Sequence, residues 1–435
     1  MKTWIKAINS FAMLLAMLCF CPSCSSSDEI QEPSTEENPK EETKEEVKIK
    51  ARADIELTEV ETQLAHQSAD FSIRLLQAAE KTYEDKSQIV LSPLSASYAL
   101  SMVSNGAGGD TQQELLEALG FDGFSVEDIN AFNKKLMENL VDLDNTAAVH
   151  IANSLWLNKF FKAKDTFKDT LVANYEAEVG TYDFGKPETK DLINKWCEEK
   201  TNGLIKDFIT ELSLEQKFVL LNAFYFKGAW EYPFKEVETG KFQTEAGSQQ
   251  DVDYLYKQKH TYLYMENEQY AMAKLYYGNG AFGFVVLLPK EGKPITDVMS
   301  GLTGEQWLES VNAMKPKLLN VKLPKFKVEQ KESLVDALME MGIEKSFKDE
   351  ADFSALSETS TCISDVWQAN YISIDEKGTE AAAVTGIKTD VDCFIEEEEP
   401  ATIDFYVNRP FLYFIKEKST NTILFIGKMG EIVSE

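Results

Sequence analysis

Histidine and cysteine, the residues that most often bind transition metals or act as catalytic bases and nucleophiles, are scattered along this chain. A metal site or a Ser-His-Asp triad needs such residues at short, regular spacing or in a recognisable pairing of nucleophile and base. The residues concerned are His66, His150, His260, Cys19, Cys21, Cys24, Cys197, Cys362 and Cys393. Because their positions show no such spacing, the sequence predicts no metal site, no cofactor and no catalytic residues.

The acidic composition excludes one class of partner. The chain has 435 residues, and 44 lysines and arginines stand against 73 aspartates and glutamates, which gives a formal charge of −29. Proteins bind nucleic acid through clustered basic residues that neutralise phosphates and release counterions. A nucleic-acid partner is therefore excluded, and without a basic cluster we expect no activation by a heparin-like polyanion.

The first 23 residues are typical of a cleaved export signal. Two lysines precede an apolar run over residues 11–21, which is too short to span a bilayer comfortably. The sequence that follows, FCPSCSSSDE, resembles a bacterial lipoprotein signal, in which the cysteine after a small residue is acylated. Here that residue is Cys24, although Cys21 stands where an aliphatic residue is usual. We predict a signal peptide over 1–23 and a lipid on Cys24 that holds the protein at the outer membrane or cell surface; the alternative is simple secretion.

Residues 24–54 are predicted to be an acidic, disordered tether. From Asp28 to Lys50 there are nine acidic residues, four lysines and two prolines, with very few apolar residues. Such a segment cannot bury enough apolar surface to offset the entropy lost on folding. No second linker and no repeat follow, so residues 55–435 are predicted to form one large folded domain.

The folded domain begins with helical patterns and continues mainly with strand patterns. Residues 57–83 show helical periodicity, and Thr111 begins a Thr-Gln-Gln-Glu sequence typical of a capping box. The predicted buried face of the first helix consists of Leu57, Val60, Leu64, Ala69, Phe71, Ile73, Leu76 and Ala79. Later segments such as YFKGAWEYPF and AFGFVVLLPK are rich in aromatic and β-branched residues and are bounded by Pro, Gly or Asn. This order favours an α+β fold built on large, mostly antiparallel sheets.

Several sequence blocks spread through residues 57–435 resemble, in order, landmarks of the serpin family. The blocks are LSPLSASYALSMVSNGAGGDT (91–111), ANSLWL (152–157), INKWCEEKTNGLI (193–205), LNAFYFKGAWEYPF (221–234), LPKFKV (323–328), MGIEKSF (341–347), ADFSAL (351–356) and FYVNRPFLYFIKEKSTNTILFIGKM (405–429). The resemblance implies the serpin fold, with helices packed around large β-sheets and an exposed reactive loop at about residues 375–404. It also implies an inhibitor of serine, or of cysteine, endopeptidases, with the target protease bound covalently to a monomeric inhibitor.

The resemblance also implies where the main sheet opens. It places Ser92 and Ser95 beneath the opening sheet and Trp230 at the top of that sheet. One departure concerns the sequence before the loop, where the family usually has Ser-Asp-Val-Leu-His-Lys and this chain has Ser-Asp-Val-Trp-Gln-Ala. Gln368 thus replaces a histidine that commonly bonds across the parting strands. Because glutamine can both donate and accept hydrogen bonds but does not titrate, we expect a network without pH sensitivity.

In serpins a protease cleaves the reactive loop, and the N-terminal part of the loop then inserts into the main sheet with the protease still attached. The hinge that the resemblance implies consists of Glu376, Gly378, Thr379, Glu380, Ala381, Ala382, Ala383, Val384 and Thr385. Gly378 can supply a pivot, and alternate residues from Thr379 onward are small and uncharged, as an inserting strand requires. Taken alone, the segment GTEAAA would favour the start of a helix.

The cleaved bond is less clearly marked than the hinge. Family members usually have it about fourteen residues after the hinge glycine, which gives the bond between Asp392 and Cys393. The alternative is the bond between Lys388 and Thr389, which would suit a trypsin-like protease. The loop is longer than usual, so bonds after Val391 or Phe394 also stay open. Two other classes of function remain: a non-inhibitory serpin that binds or stores a ligand, and a hydrolase, for which the sequence shows no assembled nucleophile and base.

Overall fold

The computed structural model describes residues 48–85, 87–379 and 401–433. The helices in these residues are α1 (Glu59–Thr82), α2 (Pro93–Ser104), α3 (Gly109–Leu119), α4 (Val126–Leu140), α5 (Asp165–Tyr175), α6 (Pro187–Lys200), α7 (Ile295–Ser300), α8 (Gly304–Ala313) and α9 (Val335–Glu340). None of the described helices is long and apolar enough to cross a membrane.

The strands occur mainly in the second half of the chain. They are β1 (Gln88–Leu91), β2 (Ala147–Asn158), β3 (Glu178–Tyr182), β4 (Phe218–Ala229), β5 (Glu236–Gln243), β6 (Gln249–Glu266), β7 (Tyr270–Tyr276), β8 (Phe282–Pro289), β9 (Lys315–Pro324), β10 (Phe326–Ser333), β11 (Trp367–Ile374), β12 (Gly378–Thr379), β13 (Ile403–Tyr406), β14 (Phe411–Glu417) and β15 (Ile423–Met429). The prediction of early helices followed mainly by strands is confirmed.

The described strands form two sheets. The central sheet has six strands in the order β10-β11-β12-β4-β2-β3, and the second sheet has nine, in the order β1-β15-β14-β8-β7-β6-β9-β13 with β5 paired to β6. All pairings are antiparallel except β2 with β3 and β13 with β9. The α+β fold with large, mostly antiparallel sheets is therefore confirmed.

The core lies between the two sheets, where aromatic side chains from each pack together. Phe224 on β4 lies 5.4 Å from Phe425 on β15, and Phe226 on β4 lies 5.3 Å from Phe282 on β8, measured between ring centroids. Helix α2 is buried along almost its whole length and contacts both β4 and β15. A smaller cluster joins α6 to the central sheet through Trp156, Trp196 and Leu221.

Two details of the helical predictions are wrong. Val60 is 41% exposed, because the first turn of α1 lies at the surface and burial begins at Leu64. Thr111 does not cap α3: this helix begins two residues earlier, after Gly108, so that Thr111 is buried in its first turn. The Thr111 hydroxyl instead accepts a 2.9 Å hydrogen bond from the Asp352 amide. Capping boxes occur instead on α1, where Thr58 and Glu61 cap each other, and on α8, where Thr303 and Gln306 do.

Candidate functional site

The central sheet contains a gap between strands β4 and β11. Within the described residues, the only strand between them is β12, which has two residues. Gly378 pairs with Ala229 and Thr379 with Gly228 on β4, and Thr379 also pairs with Ile374 on β11. The hinge thus enters the sheet at one end of the gap.

Gly378 lies in a position that only glycine fits. Its φ is +149°, a backbone conformation that L side chains rarely adopt. A Cβ atom added there would lie 2.0 Å from the carbonyl oxygen of Gly228 and 2.9 Å from the Cα of Ala229. Besides its freedom to pivot, the glycine therefore allows the hinge backbone to approach β4 closely.

The side chain of Thr379 is held in place by an aromatic cluster. This side chain is buried, and its hydroxyl lies 2.6 Å from the hydroxyl of Tyr277. The Tyr277 ring stacks on the Trp230 indole, with 4.6 Å between the ring centroids and planes 7° apart. The indole N–H of Trp230 donates a 2.9 Å hydrogen bond to the Asp375 carbonyl. Trp230 therefore holds the chain immediately before the hinge.

The turn before the hinge is also held by charged groups. One Asp375 carboxylate oxygen accepts hydrogen bonds from the amides of Lys377 and Gly378, at 2.7 and 3.0 Å. Glu376 forms a 2.9 Å ion pair with Lys325, and both side chains are about one-third exposed. Burial alone would raise the pKa of Glu376, but the hydrogen bond and the charge of Lys325 outweigh it, so the pKa lies below its usual value. The ion pair ties the base of the loop to the residue before β10.

Below β12 the gap is open and contains a cavity of about 320 Å³. One wall is formed by residues 218–222 of β4, and the opposite wall by residues 366–368 at the start of β11. The floor is formed by α2, including Ser95, and residues 208–211 line the outer side. Asn222 lines this cavity, and its buried Oδ1 has no hydrogen-bond partner among the described residues. An additional strand would supply donors for such a group.

Gln368 connects the central sheet to the strand beneath it. Its Oε1 accepts a hydrogen bond from the Ser92 amide at 2.9 Å, and its Nε2 donates to the Ser92 carbonyl at 2.8 Å. Asn370 donates to the Val90 carbonyl, and Gln330 accepts from the Val90 amide. Three side-chain amides therefore satisfy backbone groups of Val90, on the edge of β1 that faces away from β15, and of Ser92, just after β1. Ser92 also caps α2 by accepting from the Ser95 amide, at 3.4 Å.

The structure thus brings together the predicted residues Glu376, Gly378, Thr379 and Trp230 at one end of the gap, and Ser92, Ser95 and Gln368 below it. The other residues of the predicted site lie outside the described residues: hinge residues Glu380, Ala381, Ala382, Ala383, Val384 and Thr385, the bonds Asp392–Cys393 and Lys388–Thr389, and the lipid-bearing Cys24.

Two contributors to the site, Tyr277 and Lys325, have no sequence signal of their own. Tyr277 is 102 residues from Thr379, and Lys325 is 51 residues from Glu376. Only the packing of the folded chain brings Tyr277, which follows β7, and Lys325, which lies between β9 and β10, to the hinge. Cys197 is buried near the gap, and burial raises its pKa to about 12, so this thiol has little thiolate character.

Comparison with known proteins gives one consistent result. A sequence profile of the family described as "Serpin (serine protease inhibitor)" matches residues 66–432. A protein named serine protease inhibitor from Cyanea capillata is 33% identical over 375 residues, which cover 83% of this chain and 95% of that protein. The crystal structure of the thermophilic serpin tengpin in its native state superposes with a TM-score of 0.77 at 30% identity, over 89% of this chain and 98% of tengpin. Thyroxine-binding globulin in complex with thyroxine gives a TM-score of 0.75 at 26% identity, over 86% of this chain and all of that chain.

The profile covers most of the chain, and the similarity to the Cyanea protein extends over nearly the whole length of that protein. The superposition on tengpin, with a TM-score of 0.77, supports the match. The chain therefore belongs to the serpin family.

Proposed function

We propose that this serpin is a suicide-substrate inhibitor of serine, or of cysteine, endopeptidases. Serpins are mostly protease inhibitors rather than catalysts. The observation that carries the proposal is the short strand β12, which already occupies one end of the gap between β4 and β11, above an open cavity of about 320 Å³. Insertion of the cleaved loop would continue this strand and fill the gap. The native state would then be kinetically trapped, and cleavage of the loop would release it.

The chemical step is an interrupted proteolysis. The catalytic serine hydroxyl of the protease attacks the carbonyl carbon of the residue before the cleaved bond and forms an ester. The peptide C–N bond breaks, and the amine of the following residue leaves with a proton. If strand insertion is faster than hydrolysis of the ester by water, the protease remains attached through its serine. A cysteine protease would form the corresponding thioester.

The register of β12 supports Asp392 over Lys388 as the residue attacked. Because β12 and β4 are antiparallel, each step forward along the loop is paired with one step back along β4. Asp392 is thirteen residues past Thr379, so complete insertion would bring it opposite Glu215, beyond the end of β4. Lys388 would come opposite Val219, still within β4, so an attached protease would stop insertion before the loop had passed the end of that strand. A bond after Asp392 thus permits insertion along the whole of β4, and the target would need a cationic primary pocket.

The experiment uses the mature protein and four proteases: an elastase, a trypsin, a subtilisin and a caspase. With an enzyme that cleaves after aspartate, we expect the protein to form a complex that survives denaturant. Mass spectrometry should locate the cut after Asp392. The variant D392A should abolish the complex, whereas the matched variant K388A should leave it. The opposite result would assign the bond to Lys388 while leaving the trapping mechanism in place.

A second candidate is a non-inhibitory binding protein. The only observation in its favour is the similarity to thyroxine-binding globulin, at 26% identity. Cutting the loop with a non-specific protease separates the two functions, because insertion into the gap should greatly raise the temperature of thermal unfolding. An unchanged unfolding temperature, together with no covalent complex, would exclude the inhibitor and favour the binding protein.

We also propose that the protein is exported and anchored by a lipid on Cys24. The N-terminal sequence pattern supports this, and the acidic residues after Cys24 would keep the serpin domain at a distance from the membrane. Expression in a bacterial host with a labelled fatty acid tests the anchor. Label should appear in the wild-type chain and disappear in C24A, with C21A as the matched control. Secretion of an unlabelled wild-type protein would contradict the anchor.

A further inference from the structure

The segment of residues 205–212, here called the crossing loop, leads from α6 toward β4 and is fixed to α6 at one side. Asn194 of α6 donates a 2.9 Å hydrogen bond to the Ile209 carbonyl and accepts a 2.7 Å bond from the Ile209 amide. Phe208 is buried in the cluster that joins α6 to β2 and β4. This side of the crossing loop therefore belongs to the β4 side of the gap.

The opposite side of the crossing loop is attached to β10 and β11 through Lys331. The Lys331 ammonium lies 5.8 Å from the ring centroid of Phe208 and 5.5 Å from that of Trp367, the first residue of β11. It also donates a 3.2 Å hydrogen bond to the Asp207 carbonyl. A cation between two aromatic rings is attracted to both. The side chain of Lys331, on β10, thus connects the crossing loop to the far wall of the gap.

These contacts form a bridge across the gap. In the central sheet the order is β10, β11, the gap and then β4, so the connection from α6 through Phe208 to Lys331 passes over the gap. Phe208, Lys331 and Trp367 all line the cavity. A new strand would increase the distance between β4 and β11 by about one strand spacing, roughly 4.8 Å. The bridge would have to break or lengthen for this to happen.

Two further observations support a role for the bridge. Asp207, which accepts from Lys331, has a φ of +49°, in the left-handed region that few residues with side chains adopt, although aspartate is among those that tolerate it. Trp367 is 44% exposed, which is unusual for a tryptophan in a strand that faces the core. Its contact with Lys331 gives this exposed ring a partner.

We propose that Lys331, held between Phe208 and Trp367, is a clamp that sets the rate at which the reactive loop enters the central sheet. This inference rests on the proposed inhibitor function. Breaking the clamp should lower the barrier to strand insertion and at the same time shorten the lifetime of the uncleaved native state. The clamp residues position the walls of the gap and do not touch the protease.

The test measures the uptake of a synthetic peptide with the sequence of residues 379–388, which requires the sheet to open but needs no target protease. K331M and W367L each remove one part of the clamp, and K331R keeps the cation. The matched controls are K327M and Y371L, because Lys327 lies 5.5 Å from the Tyr371 ring on the same two strands. This control pair lies four residues further along, about 13 Å from Lys331.

We expect K331M and W367L to take up the peptide roughly five- to tenfold faster than wild type, since K331M removes the contact with Phe208 that crosses the gap and W367L removes the ring that holds Lys331 in position for that contact. K331R should remain close to wild type, and K327M and Y371L should change the rate less than about twofold. With a protease that is trapped, K331M and W367L should consume fewer inhibitor molecules per covalent complex.

Equal rates for K331M, W367L and the two controls would overturn the clamp, as would slower uptake in K331M and W367L. If wild type takes up no peptide and traps no protease, the proposed inhibitor function itself fails, and the clamp fails with it. If wild type does both, only the rates of the variants decide the clamp. Because K331M and W367L alter different strands, a folding defect in one leaves the other to decide.

Discussion

Gly378 shows how one residue can serve the folded state and the inserting loop at once. Its φ of +149° and the 2.0 Å approach of a Cβ to the Gly228 carbonyl are two separate costs for any other residue. We predict that G378A displaces β12 from the gap and lowers the free energy of unfolding of the uncleaved protein by about 2–4 kcal/mol. Urea unfolding followed by tryptophan fluorescence measures this change.

Gly247 provides the matched control for Gly378. It also has a positive φ, +84°, but a Cβ added there meets nothing within 4 Å. G247A should therefore show the cost of the backbone conformation alone, about 1 kcal/mol. Equal losses in G247A and G378A would mean that contact with β4 plays no part.

Single residues also mark the limit of what the sequence could predict about the site. The hinge glycine and the alternation of small residues were visible because they are local patterns in an extended segment. Tyr277, which bonds to Thr379, and Lys325, which pairs with Glu376, were not visible, because they depend on which strands become neighbours. The sequence indicated that Gln368 could donate and accept, but not that both bonds go to the backbone of Ser92.

Among the elements, β1 is the strand that joins the two sheets. One edge of β1 pairs with β15. On its other side, the side-chain amides of Gln330 and Asn370 bond to the backbone of Val90, and that of Gln368 bonds to the backbone of Ser92, just after β1. These side chains come from β10 and β11, the far wall of the gap. The position of that wall is therefore set by side-chain hydrogen bonds as well as by strand pairing.

We predict that Q368M destabilises the native protein by about 2–3 kcal/mol. Methionine fills a similar volume, but it leaves the Ser92 amide, which is buried, without its acceptor. The Asn370 amide would lose its 2.8 Å bond to Gln368 as well. Unfolding in urea measures the loss. Q113M is the control, because Gln113 bonds to Glu117 on an exposed helix face and its loss should change stability by less than about 0.5 kcal/mol; an equal effect of the two substitutions would contradict the prediction.

For the helices and strands, the sequence predicted the type and order of the elements better than their first and last residues. Aromatic and β-branched runs identified the later strands, because strands buried on both faces consist largely of apolar residues, as β8 does. The start of α3 was misplaced because a Thr-x-x-Glu pattern occurs inside its first turn as well as at true caps. The two-residue strand β12 could not be predicted from its own sequence, since it exists only where β4 and β11 separate.

For the molecule as a whole, the second sheet contains a pair of buried lysines. Lys416 on β14 is opposite Gly283 on β8, and the aliphatic part of Lys274 on β7 packs beside the same glycine. Their exposed fractions are 1% and 5%. Burial, together with the charge of Lys274, lowers the pKa of Lys416 to about 7, and burial lowers that of Lys274 to about 8. A strand in which a lysine follows five apolar residues would ordinarily be expected to turn that lysine toward water, so the sequence did not indicate this pair.

The pair makes the stability of the whole molecule depend on pH. In the unfolded chain a lysine has a pKa of about 10.4. Between pH 7 and that value the unfolded chain therefore binds more protons than the folded one, and stability rises with pH. With folded pKa values of about 7 and about 8, we expect the free energy of unfolding to increase by about 3–4 kcal/mol from pH 7 to pH 9. Urea unfolding at a series of pH values measures the slope, which should be shallower in K416M, a variant that should also be more stable than wild type at pH 7.

Lys418 provides the control for this effect, because it is close in sequence and charge but only partly buried. K418M should keep most of the slope, since Lys416 and Lys274 remain buried among the same strands. A slope that is unchanged in K416M and lost in K418M would show that the titrating group lies at the surface. If instead K416M is more stable than wild type at pH 7 and its slope between pH 7 and pH 9 is shallower, with the remaining slope due to Lys274, the buried Lys416 ammonium destabilises the folded, uncleaved serpin at neutral pH.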